Sequence, residues 1–236
     1  MIKGPAFMIA CFTLVCGTVA TAQSGMEAPL GSRIMRPKPA DVPDRGRLAD
    51  ADRARLTMHE FADCIVATSS SEALRYRELG YMVPETKKVL TKLAQSECLR
   101  AGQLAMPSDL LRGAIFRSYF LREFGNVSPP VDSKEVDFSR FVTDPASASG
   151  GQYLLLMSLG SCTVRADTAK AAAYVRSTPG SDGETKALGA LKPVLGPCYP
   201  AGAQLKMNKS VLSALLAEAL YREAEAGRQS SAEVAR

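Results

Sequence analysis

Tryptophan is absent from this 236-residue chain, and histidine occurs once, at His59. One histidine excludes every site that needs two, including the H-E-x-x-H metalloprotease arrangement. There is no G-x-S-x-G elbow, Walker loop, C-x-x-C-H haem attachment or EF-hand loop. A serine–histidine–acid triad would have to recruit His59. No C-x-x-C pair is present, so a structural zinc site has no ligand set, and no cofactor is expected. Neither charge dominates: 29 basic against 24 acidic residues leave a formal net charge of +5, with the two signs intermixed. Nucleic-acid binding needs basic residues clustered on one face, so no nucleic-acid partner is expected. Beyond the first residues no apolar run is long enough to span a bilayer, and the mature chain is expected to carry no transmembrane segment.

What is present begins with a leader. Lys3 supplies a charged start, Pro5 to Val19 is apolar, and Ala20-Thr21-Ala22 is a small-residue cleavage site. The mature chain should begin at Gln23, in the periplasm or outside the cell. The leader removes Cys11 and Cys16, leaving Cys64, Cys98, Cys162 and Cys198. An even number in an oxidising compartment reads as two disulfides. Four cysteines allow three pairings; locality favours Cys64–Cys98 and Cys162–Cys198.

These cysteines frame a duplication. Cys64-Ile-Val66 aligns with Cys162-Thr-Val164, and Glu85-Thr-Lys87 with Glu184-Thr-Lys186. Cys98-Leu-Arg-Ala-Gly102 aligns with Cys198-Tyr-Pro-Ala-Gly202, and Gln103-Leu-Ala-Met106 with Gln204-Leu-Lys-Met207. Four matches in one order indicate a repeated supersecondary unit whose copies share a core.

Each copy reads as helical. Met58, Phe61, Ala62 and Ile65 fall at i, i+3, i+4 and i+7 on the first helix. Ser69-x-x-Glu72 has the pattern of a capping box for a second helix, where the other copy has Asp167. Pro84 suits the start of a third, whose counterpart from Asp182 should end before Pro193. The fourth, about Ser108 to Phe124, is apolar around much of its circumference and should be central. Its Arg112, Arg117 and Arg122 would snorkel to solvent. Its counterpart, from a cap at Asn208 to Ala226, has an apolar stripe with Glu218, Arg222, Glu223 and Glu225 opposite, and should be more peripheral.

The chain is accordingly expected to be all-α, with two tandem disulfide-stapled repeats packed as one pseudo-twofold domain. Residues 1–22 are the signal peptide, 23–50 a proline- and arginine-containing linker, and 51–124 the first repeat. Residues 125–151 link it to the second repeat at 152–226, and 227–236 form a disordered tail. The functional candidates are His59 and Asp63, one turn apart on one helix face and able to supply metal ligands or an oriented base. The second copy has Met157 and Ser161 there, so the fold itself does not require them. The missing motifs point to a non-catalytic binding or assembly protein whose partner is a protein, peptide or envelope component. A periplasmic hydrolase using paired carboxylates or His59 is the alternative.

Overall fold

In a computed structural model of the chain, the described residues are 48–81, 83–94, 97–99, 106–125, 127–132, 134–200, 202, 205 and 207–234. The expected signal peptide and nearly all of the expected linker lie outside them. Among the described residues there are eight α-helices and no strand, so the chain is all-α. The helices are α1 (Asp50–Thr68), α2 (Ser70–Glu78), α3 (Pro84–Ala94), α4 (Ser108–Phe124), α5 (Ala148–Ala166), α6 (Thr168–Arg176), α7 (Asp182–Cys198) and α8 (Lys209–Val234). A 3-10 turn, Phe138–Phe141, lies between α4 and α5. No helix among the described residues is long and apolar enough to cross a membrane.

The core forms around two parallel helices, α4 and α8. Gly113 meets Ala214 near their starts, where a Cβ on Gly113 would overlap the Ala214 backbone. Further along, Tyr221 donates to Glu123 at 2.9 Å. Gly160 lets α5 approach α8 in the same way, since a Cβ there would come within 2.9 Å of the Ala219 Cβ. On α1, the expected face of Met58, Phe61, Ala62 and Ile65 is buried against α4. Ile115, Phe116, Phe120, Leu216, Leu220 and Tyr221 are fully enclosed between the surrounding helices.

Both disulfides join nearest cysteines. Cys64 of α1 bonds Cys98 beyond α3, and Cys162 of α5 bonds Cys198 at the end of α7. Each ties a peripheral helix to one that packs on the core. Cys162→Ser with Cys198→Ser is expected to lower the unfolding free energy by about 3–4 kcal/mol, the chain-entropy value for a loop of this length. Urea unfolding checks this, and an unchanged midpoint would contradict it.

Side-chain caps appear where Asp167 accepts from Lys170 N at 2.9 Å and Asn208 from Val211 N at 2.9 Å. The Ser69–Glu72 box does not close. The Ser69 N–H already bonds Ile65 O at 2.9 Å, and Glu72 accepts from Ser71 Oγ instead. Three further expectations give way. First, α7 runs through Pro193 to Cys198. Gly189 and Pro193 are exposed, so the carbonyl that loses its partner can face water, and the disulfide holds the helix end. Second, α8 continues past Gly227 to Val234 instead of fraying. Gly227 serves close packing: a Cβ would lie 2.6 Å from Pro130 O, and one turn on Ser230 Oγ donates to Asp132. Third, α8 is central, and Glu218, Arg222 and Glu223 are buried, as are Arg112 and Arg117 of α4. Arg112, Arg117 and Glu223 pair across helices and Arg222 pairs with Glu218 within α8, which removes the need to reach solvent.

Candidate functional site

His59 and Asp63 diverge in the folded chain. The His59 ring is buried, and its Nδ1 has no hydrogen-bond partner among the described residues. Burial, with the charges of Arg117 and Arg55, pushes its pKa down to about 3. It is therefore held neutral, enclosed beside a buried ion pair in which Arg55 donates to both Glu184 oxygens, the Nη2 bond being 2.8 Å. Asp63 is half exposed and lies 3.7 Å from Arg117 Nη1. Among the described residues no three His, Cys, Asp or Glu side chains come together as a metal site.

A cleft lies elsewhere, between the N-terminal halves of α4, α5 and α8. It has a volume of about 570 Å³, within the range of small-molecule sites. Apolar side chains from all three helices line it: Leu110 from α4, Leu156 and Met157 from α5, Val211 and Leu215 from α8. Its mouth is flanked by Tyr81 and Asp109, with Tyr81 Oη donating to Asp109 at 3.3 Å. Tyr81 is held from two sides. Its N–H bonds Phe141 O at 2.5 Å, and its ring stacks on Tyr153 with centroids 4.4 Å apart.

The floor is ionic and buried. Arg112 donates Nε and Nη2 to Glu218 at 2.8–3.0 Å and Nη1 to Leu79 O at 3.2 Å. Tyr153 Oη donates to Glu218 Oε1 at 2.9 Å, and Arg222 Nε does so at 3.1 Å. Burial alone would raise the Glu218 carboxyl. The charges of Arg112 and Arg222, with the bonds from Arg112 and Tyr153, outweigh that and hold it below its ordinary value. Burial and the Glu218 charge push the Tyr153 phenol well above its ordinary value. Glu218 is thus an ionised anchor at neutral pH with its Oε1 fully engaged, ill suited to donating or accepting a proton there. It holds Arg112 and Tyr153 in fixed orientations at the base of the cleft.

The sequence does carry a signal for this floor. Val211, Leu215, Glu218 and Arg222 fall at i, i+4, i+7 and i+11, so the two charges continue an apolar stripe into the core. Tyr81, Asp109 and Tyr153 have no such signal, because the cleft joins separate elements, with even Tyr81 and Asp109 28 residues apart. Compared with known proteins, the chain matches no family model, no curated protein and no solved structure.

Proposed function

We propose that this chain is an exported, non-catalytic binding protein of the periplasm or extracellular space. It would hold an envelope component in the cleft between α4, α5 and α8. The observation that carries this reading is the cleft itself, apolar along its walls and closed below by a buried ion network. Two disulfides suit an oxidising compartment and agree with the leader read in the sequence.

We further infer that α1–α4 and α5–α8 are tandem copies packed about a pseudo-twofold axis running along α4 and α8. Support comes from helix lengths, 19 residues in α1 and α5 and 9 in α2 and α6. It comes also from reciprocal loop contacts. The loop after α2 places Tyr81 on Tyr153 of α5, and the loop after α6 with the first turn of α7 places Gly180 and Glu184 on Leu48, Asp52 and Arg55 at the start of α1. On this reading the cleft is where the copies differ. Met157 lines it, and the matching residue is His59, buried beside the Arg55–Glu184 pair.

A hydrolase using paired carboxylates has one observation in its favour, since Asp109 and Glu218 line the same cleft. The four hydrogen bonds on Glu218 Oε1 weigh against it. Photo-crosslinking tests the binding reading. A benzophenone side chain at Leu156, in the cleft, is expected to capture an envelope component in cells, whereas one at the exposed Leu74 is not. Capture from neither position, or from both alike, would overturn it.

A further inference from the structure

We propose that the cleft takes an aliphatic monocarboxylic acid, its chain along the apolar walls and its carboxylate on Arg112 at the floor. This rests on the cleft being the binding site and adds the chemistry of the occupant.

The first observation is a charge imbalance. The floor buries two guanidiniums, Arg112 at 3% exposure and Arg222 at 5%, against one carboxylate, Glu218 at 3%. One positive charge is left in excess where the dielectric is low, so a single added anion is favoured there. The second is a hydrogen-bond count. A guanidinium has five N–H groups. Arg112 gives Nε and one Nη2 hydrogen to the Glu218 oxygens, one Nη1 hydrogen to Leu79 O, and a further hydrogen bond to the Tyr76 hydroxyl. Four of the five are thus engaged, and the one left over, on a terminal nitrogen, can donate to a single carboxylate oxygen. An ammonium group would add a second charge to that excess, so it gains nothing at the floor.

The third observation orients the ligand. Asp109, exposed at the mouth in the first turn of α4, repels an acid held there. A carboxylate is therefore stable inside and unstable outside, which places the head at the floor and the chain toward the mouth. Between the two ends Leu110, Leu156, Met157, Val211 and Leu215 offer hydrocarbon to a hydrocarbon chain. Each methylene buried there should tighten binding roughly fourfold.

Calorimetric titration of the full mature protein with decanoate, octanoate, decanol and decylammonium tests the assignment. Decanoate is expected to bind about tenfold more tightly than decanol and about fifteenfold more tightly than octanoate, with decylammonium weakest. Val211→Trp and Leu110→Trp fill the cleft from different helices at partly exposed positions. In a chain without native tryptophan each also reports its own folding by fluorescence. Either variant, once shown to melt cooperatively, should lose decanoate binding by at least about tenfold. The proposal is overturned if decanol or decylammonium binds as tightly as decanoate, or if both filled variants bind like the parent. It is also overturned if an apolar tripeptide with a free C-terminal carboxylate binds more tightly than decanoate. If no amphiphile binds while Leu156 still crosslinks, the acid is wrong and the cleft stands. If both fail, the binding reading falls with it.

Discussion

Glu218→Gln is expected to destabilise the protein by roughly 3–5 kcal/mol, the usual cost of removing one partner from a buried ion pair. The change removes the only carboxylate that contacts both Arg112 and Arg222 among the described residues, and leaves two buried guanidiniums about a neutral amide. It also weakens the anchor for the Tyr153 hydroxyl and so loosens the stack that holds Tyr81 at the cleft mouth. Arg222→Met is expected to cost less than half as much. It removes the excess charge, leaves the neutral Arg112–Glu218 pair, and keeps a flexible side chain against Phe116 and Phe141, over which the guanidinium lies at 4.8 and 3.4 Å. Urea unfolding at pH 7 of both variants decides the matter. Equal losses would mean that Glu218 acts by packing and that no charge imbalance exists at the floor.

The second large effect is a loss of stability in mild acid. Folded His59 has a pKa near 3, against an ordinary 6.5 in the unfolded chain. Between those values the unfolded chain binds a proton that the folded chain does not. Stability is therefore fully present above about pH 6.5 and falls as the pH drops toward 3. From pH 6.5 to 4.5 the loss from this one group is about 2 kcal/mol, at up to 1.4 kcal/mol per pH unit. Glu184 acts in a lower window. Burial would raise its carboxyl, but the bonds from Arg55 and Gly180 N and the charges of Arg55 and Lys209 bring it to about 2. Its contribution is present above 4.5 and is lost between about 4.5 and 2. Glu223 works in the opposite sense, because burial outweighs the Ser161 bond and the Arg165 charge and raises its carboxyl. His59→Leu separates these contributions. The variant should show a flatter profile than the parent between pH 6.5 and 4.5, and should match or exceed the parent's stability at pH 5, since it also removes a buried nitrogen without a partner. Parallel profiles for the two proteins would show that His59 is not held neutral.

Much of the fold is written in local patterns. The i, i+3, i+4, i+7 face of α1 is buried as its spacing requires, Asp167 and Asn208 cap the helices they precede, and the cysteines bridge to their nearest neighbours. These features depend on residues close together in the chain. The parts that resist local reading depend on distant partners. Arg112 is snorkelling or buried according to whether Glu218, 106 residues away, faces it. Pro193 ends a helix in isolation but not in one anchored by Cys198. Gly227 is a stop signal unless Pro130 lies against it. His59 attracts attention as the only histidine, yet its burial and neighbours depend on Arg117 and Glu184, which no spacing within α1 reveals. The cleft is the extreme case, because its mouth and floor are assembled from both halves of the chain.

The most direct measurement is native mass spectrometry of the protein purified without denaturation from its native source, beside the Val211→Trp variant prepared identically. A small-molecule adduct that dissociates on denaturation should accompany the parent and be missing from the filled variant. Identical masses before and after denaturation of the parent, or an adduct carried equally by both proteins, would contradict a binding role for the cleft.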